Sequence, residues 1–126
     1  MSAGRRVFVV EDDGSMRTAI ERLLHAAGLE CRLYGSAEEL LAEDDSAGAA
    51  CVITDQRLPA MSGLDLLTAL TSRGGWPPMI MITAFDTPGQ GDEAARRGAK
   101  AYLVKPFSGA ALINAVKAVV GSAPNE

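Results

Sequence analysis

Residues 51–55, Cys-Val-Ile-Thr-Asp, form a short apolar and β-branched run that ends in one carboxylate and leads into a turn marked by Pro59. A strand covered by helices on both faces has no polar side, so a continuous apolar run of this length is typical of a buried strand in a parallel sheet. Open α/β sheets present their ligand-binding groups at the C-terminal ends of such strands. We therefore expect Asp55 to lie at the mouth of a crevice rather than in the core.

Four other short segments have a similar apolar character, and segments with helical spacing of apolar residues separate them. The five predicted strands are residues 6–10, 31–34, 51–55, 79–83 and 102–104. The five predicted helices are residues 15–27, 36–41, 62–74, 86–98 and 108–120. We expect Asp13 and Ser15 to cap the first helix, and Ser36 and Glu39 to form a capping box at the second. The fourth helix is the weakest prediction, because the Pro-Gly-Gln-Gly of residues 88–91 crowds its first turn.

The alternation of strands and helices predicts right-handed crossovers onto one parallel sheet, a doubly wound α/β fold of the (βα)5 type. A chain of 126 residues fits a single domain. We expect residues 1–120 to form it and residues 121–126 to be a tail or the start of a linker. The expected strand order is 2-1-3-4-5, with the crevice between strands one and three. In this order Cys31 and Cys51 are not on neighbouring strands, so no disulfide is expected between them.

Charge and hydropathy argue against several classes of function. A net charge of −4 disfavours a surface for nucleic acid. No apolar run approaches the roughly 20 residues that span a bilayer, and the apolar stretch before Glu11 is too short for a signal-peptide core. We therefore expect a cytoplasmic protein in which this segment binds neither nucleic acid nor membrane. His25 and Trp76 are expected to be structural residues.

Polar groups follow four of the predicted strands. Glu11 and Asp12 follow strand one, Asp55 ends strand three, Thr83 ends strand four and Lys105 follows strand five. Three carboxylates in one crevice repel one another, and a hard divalent cation such as Mg²⁺ relieves that repulsion. A carboxylate can also attack phosphorus to form an acyl phosphate, whose oxygens a lysine and a hydroxyl would bind. Each residue alone has an ordinary structural role, so the prediction depends on the whole set.

This set of residues resembles the receiver domain of two-component response regulators. The matching residues are Glu11-Asp12, Asp55, Thr83-Ala84 and Lys105-Pro106. The resemblance covers residues 7–120, and the motif Asp-x-x-Leu-Pro-x-Met-x-Gly, which begins at Asp55, is among its most specific parts. Arg57 with the Met-Ser-Gly of residues 61–63 is most similar to receivers of the nitrogen-fixation transcription-regulator type. Receivers have a flavodoxin-like fold, in agreement with the expected strand order.

The resemblance implies how the crevice residues would handle phosphate and metal. Asp55 would accept a phosphoryl group from the phosphohistidine of a kinase. Asp12 would contact Mg²⁺ directly and Glu11 through water, and the backbone carbonyl of Arg57 would complete the metal site together with Asp55. Lys105 would pair with the phosphoryl group, and its bond to the following proline would be cis. Glu11 stands where Asp is commoner in the family, a change that should leave metal binding intact.

The resemblance also implies a switch and a set of partners. Thr83 would move toward the phosphate, and Tyr102 would change position with it. A sensor histidine kinase or phosphotransfer protein would act upstream, and an effector or attached output domain downstream. The fourth helix, fifth strand and fifth helix could also form a homodimer face. Because Arg57 and Phe85 lie two residues after the phosphoacceptor and the switch, we expect their bulk to hinder attacking water and prolong the phosphorylated state.

Two other classes of function stay open beside a signalling domain that catalyses only its own phosphorylation and dephosphorylation. One is a phosphohydrolase with an aspartyl nucleophile, which would need a second acid where Arg57 stands. The other is a pseudo-receiver that acts by protein contact alone. The complete set of acids, hydroxyl and lysine argues against the pseudo-receiver.

Overall fold

The structure is a computed structural model that describes residues 6–42, 49–74 and 77–121, and in this part of the chain five parallel strands form one sheet. The strands are β1 (Arg6–Val10), β2 (Glu30–Tyr34), β3 (Ala49–Asp55), β4 (Met79–Thr83) and β5 (Ala99–Val104). The helices are α1 (Gly14–Ala26), α2 (Ala37–Leu41), α3 (Gly63–Arg73), α4 (Gln90–Arg96) and α5 (Gly109–Gly121). The sheet order is β2-β1-β3-β4-β5, which confirms the predicted order and the doubly wound architecture.

The core lies in two layers, one on each face of the sheet. Alternate residues of β1 enter opposite layers, as the pleat of a strand requires. Phe8 packs in the layer that α2 and α3 cover, and Val9 packs in the layer that α1 and α5 cover. All five residues of β4 are buried, because this strand is covered on both faces. The same burial explains the continuous apolar run that ends at Asp55.

The two cysteines lie on either side of β1. Val7 is in register with Cys31 on β2 and with Cys51 on β3. Two strand spacings, roughly 9–10 Å, therefore separate the two cysteines, which exceeds the Cα distance that a disulfide allows. Both thiols are free, as predicted. Burial raises the pKa of Cys51 to about 12, so this thiol is unreactive.

The predicted helix caps are present, with two differences in detail. The Asp13 carboxylate accepts hydrogen bonds from the backbone N–H groups of Ser15 and Met16, at 2.9 and 3.4 Å, so Asp13 caps α1 and Ser15 lies inside the helix. Ser36 caps α2 by accepting from the Glu39 N–H at 3.2 Å. The Glu39 carboxylate accepts from the N–H of the preceding Gly35, not from that of Ser36, so the capping box is displaced by one residue.

Several element ends differ from the prediction. The predicted fourth helix, residues 86–98, was too long, because Gly89 adopts a left-handed φ of 82° and α4 begins only at Gln90. Strand β5 begins at Ala99 rather than Tyr102, since pairing with Met79 brings its small first residues into the sheet. Gly121 belongs to α5 and not to the tail. The predictions for Trp76 and for residues 122–126 lie outside the described residues.

Within the described ranges, the helices are too short or too polar for any of them to cross a membrane.

Gly63, the first residue of α3, holds the loop after β3 close to Asp55. Its N–H donates to the Gln56 carbonyl at 2.9 Å. A Cβ atom at this position would overlap with the backbone carbonyl of Asp55 and lie 2.9 Å from Gln56 Cα. The last residue of the Asp-x-x-Leu-Pro-x-Met-x-Gly motif is therefore glycine because the loop folds back onto its own first residue.

We expect Gly63→Ala to lower the free energy of unfolding by about 1–3 kcal/mol, the usual cost of overpacking a closely packed site. Urea denaturation measures the change. Gly14→Ala is the matched control, because a Cβ there would meet only the Arg17 side chain, at an ordinary distance of 3.5 Å. Equal stability of the two variants would contradict this account of the motif.

Candidate acidic and metal-binding site

Three carboxylates meet at the C-terminal edge of the sheet, between β1 and β3. Because Val10 is in register with Thr54, the residues that follow them, Glu11 and Asp55, lie side by side. Glu11, Asp12 and Asp55 each offer a carboxylate oxygen, and these oxygens lie within 4.8 Å of one another. Glu11 and Asp55 are buried, at 1% and 5% exposure, whereas Asp12 is exposed. The three acids predicted to converge do so, with spacing and donor atoms that fit a hard divalent cation.

Lys105 reaches this cluster from the far edge of the sheet. Its Nζ donates to Glu11 Oε1 at 3.0 Å and to Asp55 Oδ2 at 3.1 Å. Its backbone N–H donates to the Thr83 carbonyl at 2.7 Å, which continues the β4–β5 ladder by one residue. The bond between Lys105 and Pro106 is cis, as the resemblance implied. The structure therefore brings the lysine and the acids together.

Burial and neighbouring charges shift the pKa values of Glu11 and Lys105. Burial raises the pKa of Glu11, and the charge of Asp55 adds to the rise, while hydrogen bonds from the Asp13 N–H and from Lys105 oppose it. Burial by itself would lower the pKa of Lys105, but its hydrogen bonds to Glu11 and Asp55 outweigh that effect, and the pKa is raised. Lys105 therefore stays protonated, and its positive charge stabilises the ionised form of the buried Glu11 carboxyl.

The two acids after β1 have different surroundings. Glu11 accepts from Lys105 with one oxygen and from the Asp13 N–H with the other, at 3.1 Å. Asp12 carries its carboxylate in solvent at the mouth of the crevice. This difference is compatible with a direct metal contact for Asp12 and an indirect one for Glu11, an assignment that stays a prediction.

The loop between β3 and α3 is fixed by a residue that the sequence did not point to. Gln56 accepts from the Leu64 N–H with its side-chain Oε1 at 2.8 Å, which ties the loop to the first turn of α3. The Arg57 N–H donates to Asp55 Oδ1 at 3.4 Å, so the carboxylate is held from both sides. The Arg57 carbonyl as a metal ligand stays a prediction.

The side chains of Arg57 and Phe85 contact each other beside the crevice. The guanidinium carbon of Arg57 lies 4.0 Å from the centroid of the Phe85 ring, a cation–π contact between the loops that follow β3 and β4. Phe85 is 52% exposed, so the pair lies at the surface. The sequence singled out both residues for their bulk but gave no sign that they touch.

Hydrogen bonds connect the two predicted switch residues. Thr83 Oγ1 accepts from the Phe85 N–H at 3.0 Å, and the Phe85 carbonyl accepts from Gln90 Nε2 at 3.0 Å. The same Gln90 nitrogen donates to the Tyr102 hydroxyl at 2.8 Å, and that hydroxyl donates to Asp86 Oδ1 at 2.7 Å. Burial, followed by the hydrogen bond to Asp86, raises the pKa of Tyr102. The sequence gave no reason to single out Gln90 or Asp86, because both lie in a segment without a motif.

We expect Lys105→Met to lower the free energy of unfolding by about 2 kcal/mol near neutral pH, because two buried carboxylates lose their hydrogen-bonded cation. The folded-state pKa of Lys105 lies above its ordinary value of 10.5. Its contribution is therefore fully present below pH 10.5 and is lost as the pH rises through the folded-state value. The difference in the free energy of unfolding between wild type and Lys105→Met should therefore narrow as the pH rises through the folded-state pKa of Lys105.

Denaturation of wild type, Lys105→Met and the exposed-site control Lys117→Met tests this expectation. The control should stay within about 0.5 kcal/mol of wild type. If Lys105→Met unfolds with the same free energy as Lys117→Met, the lysine does not hold the cluster together.

Comparison with known proteins identifies the family of this site. Residues 7–117 match the family model of the response regulator receiver domain. The transcriptional regulatory protein TdiR of Thauera aromatica is 37% identical over 114 residues, which are 90% of this chain and 50% of that protein. FixJ of Azorhizobium caulinodans, also a transcriptional regulatory protein, is 36% identical over 115 residues, 91% of this chain and 54% of that protein. The chain thus spans about half the length of these relatives.

Solved structures agree with this family and with the predicted flavodoxin-like fold. The crystal structure of FixJ-N superposes with a TM-score of 0.87 at 28% identity and covers 97% of this chain and 98% of that chain. A receiver domain protein from Clostridium thermocellum superposes with a TM-score of 0.86 at 25% identity and covers 93% and 94%. The sequence match over residues 7–117, together with a lysine and three acids at one sheet edge, shows that this chain belongs to the receiver domains of two-component response regulators.

Proposed function

We propose that this domain accepts a phosphoryl group on Asp55 in a reaction that requires Mg²⁺. The donor would be a sensor histidine kinase or a phosphotransfer protein in the cytoplasm. The observation that carries the proposal is the meeting of Glu11, Asp12 and Asp55 within 4.8 Å, with Lys105 bonded to two of the three acids. A purely structural role would not require three carboxylates at one point, since their mutual repulsion destabilises the fold.

The chemistry assigned to the chain is a phosphoryl transfer between two residues. An oxygen of Asp55 attacks phosphorus, the phosphorus–nitrogen bond of the donor histidine breaks, and the imidazole takes up a proton. Lys105 moves from its contact with the Asp55 oxygen to the incoming phosphoryl oxygens and keeps their charge compensated. Mg²⁺, held by Asp12, Asp55 and the Arg57 carbonyl with Glu11 behind them, would supply further positive charge at those oxygens. The residues present fit that ion.

The proposed response to phosphorylation begins at Thr83. Its hydroxyl oxygen accepts from the Phe85 N–H, and a hydroxyl can also donate one hydrogen bond, which would be available to a phosphoryl oxygen on Asp55. A move of Thr83 toward the phosphoryl group would withdraw it from Phe85, whose carbonyl is bonded to Gln90. Gln90 in turn holds the Tyr102 hydroxyl, so the change would pass to the surface of α4 and β5.

The surface around α4, β5 and α5 is the proposed contact for partners. Phe85 and Val104 are large apolar side chains exposed to 52% and 40%, and both adjoin the switch residues. An effector, an attached output domain or a second copy of the chain would bind here. Because TdiR and FixJ are each about twice as long as the matched region, we propose that the receiver extends to the end of α5 at Gly121, one residue beyond the predicted boundary at 120, and that residues 122–126 begin a linker.

The direct test is the intact mass of the protein after incubation with acetyl phosphate and Mg²⁺. We expect wild type to gain the mass of one phosphoryl group, and Asp55→Asn to gain none because an amide cannot form the acyl phosphate. Asp13→Asn is the matched control, since Asp13 caps α1 and should be dispensable for the reaction. No mass gain in wild type would favour the pseudo-receiver, and repeated turnover of small phosphate esters would favour the hydrolase.

We further propose that the Arg57–Phe85 contact protects the phosphorylated state. Water that attacks the phosphoryl group would have to pass or open this contact, which is worth roughly 0.5–1 kcal/mol at an exposed site. Arg57→Ala or Phe85→Ala should therefore speed the loss of phosphate about two- to fivefold. Because the two residues form one contact, the double variant should be no faster than the quicker single variant.

Decay of the phosphorylated protein, followed by mass after removal of acetyl phosphate, measures this effect. Arg22→Ala, an exposed arginine on α1, serves as the control and should decay like wild type. A double variant whose rate increase equals the product of the two single increases would show that the two side chains act separately and would contradict protection by their contact.

A further inference from the structure

Arg17, in the first turns of α1, reaches back to the loop that carries the acids. Its guanidinium Nη1 donates to the Glu11 carbonyl at 2.9 Å and to the Asp12 carbonyl at 3.4 Å. The same nitrogen would lie 3.5 Å from a Cβ atom at Gly35, in the turn after β2. Arg17 is therefore placed between the loop after β1, residues 11–13, and the turn after β2.

These two carbonyls belong to residues that have left the sheet but have not entered a helix. The Glu11 N–H still pairs with the Tyr34 carbonyl at 3.0 Å, and α1 begins only after its cap, Asp13. Arg17 supplies a hydrogen-bond partner to the carbonyls of both intervening residues from a helix that is itself fixed by the core. Guanidinium is suited to this task because it stays charged at any ordinary pH and directs its donors rigidly.

We propose that Arg17 is a positioning residue that holds the Glu11–Asp12 backbone in the conformation needed to bind Mg²⁺. This inference rests on the proposed function, because it assigns to Arg17 the preorganisation of that metal site. Arg17 makes no contact with the metal in this account. By ordering the loop before the ion binds, Arg17 reduces the loss of conformational entropy on binding.

If Arg17 positions the loop, its removal should change the Mg²⁺ affinity in the direction opposite to the effect of removing its charge alone. A permanent cation near a cation site repels the ion, so removal of that charge should strengthen Mg²⁺ binding. Salt screens such repulsion at the surface, with a Debye length of about 8 Å at physiological ionic strength. The cost of ordering two loop residues is not screened. If Arg17 acts as a positioning residue, its loss weakens Mg²⁺ binding although the site becomes more negative.

The experiment is a titration of the unphosphorylated protein with Mg²⁺ at physiological salt, followed by amide chemical shifts. We expect Arg17→Gln to bind Mg²⁺ about five- to tenfold more weakly than wild type, the effect of an ordering cost equivalent to about one residue. Arg17→Lys should recover part of the affinity, because both hydrogen bonds come from one nitrogen that an ammonium can imitate, although a lysine does not direct its donors rigidly. Arg22→Gln makes the same charge change elsewhere on α1 and should bind as tightly as wild type or slightly more tightly.

Amide hydrogen exchange in the absence of metal measures directly how well the loop is ordered. Arg17→Gln should speed amide hydrogen exchange at Glu11 and Asp13, whose N–H groups bond to the Tyr34 carbonyl and to the Glu11 carboxylate. Exchange in the strands should be unchanged. Gln is a good helix former and Arg17 is only half-buried, so α1 should stay intact.

The outcomes separate the two proposals. Absence of Mg²⁺ binding to wild type would overturn the proposed function itself. Normal binding by wild type with equal or tighter binding by Arg17→Gln, or equal weakening in Arg22→Gln, would overturn the role of Arg17 and leave the proposed function standing.

Discussion

The repulsion among three carboxylates at one sheet edge is the constraint on which the rest of the site depends. Glu11 and Asp55 are almost fully buried, and burial raises the pKa of Glu11. Lys105 opposes this rise, although β5 is three strand spacings, roughly 14 Å, from β1. The Lys105 backbone stays bonded to Thr83 at the end of the sheet, and its long side chain reaches Glu11 and Asp55. The cation that stabilises the acids at the centre of the sheet therefore comes from the end of its edge strand, β5.

This requirement accounts for the burial of the last residues of β1, β3 and β4, the three strands that end beside the acids. The side chains that precede the acids, Val10 and Thr54, are fully buried, and the backbone at that point is locked by ladder hydrogen bonds on both sides. A rigid strand end can hold like charges together, whereas a flexible loop would let them move apart. The hydrophobic core thus supplies the stability that the crevice loses, a common arrangement at functional sites.

The positions of the acids, the threonine and the lysine could be predicted from the sequence, because each marks an abrupt end of an apolar run and parallel strands end at the same edge. The interactions that orient them could not. Arg17, Gln56 and Gln90 act through loop backbone, and the path of a loop depends on turns that apolar periodicity does not describe. The start of β5 was missed for a related reason, since Ala99 becomes a strand residue only by pairing with Met79.

The loop contacts divide the site into a fixed half and a movable half. On the fixed side, Arg17 and Gln56 bind backbone groups of the loops that carry the acids, and Gly63 closes the second loop so tightly that a methyl group does not fit. On the movable side, Thr83 is buried, but the hydrogen bonds that lead from it to Tyr102 run through the half-buried side chain of Gln90, where water can replace a partner at little cost. If Asp55 is phosphorylated, as proposed, the added charge would lie between two kinds of surroundings. On the metal side the loops are held by close backbone contacts, and on the side of Thr83 and Tyr102 they are held by side-chain hydrogen bonds. If phosphorylation displaces Thr83, as proposed, the hydrogen bonds through Phe85 and Gln90 would carry the change toward α4 and β5.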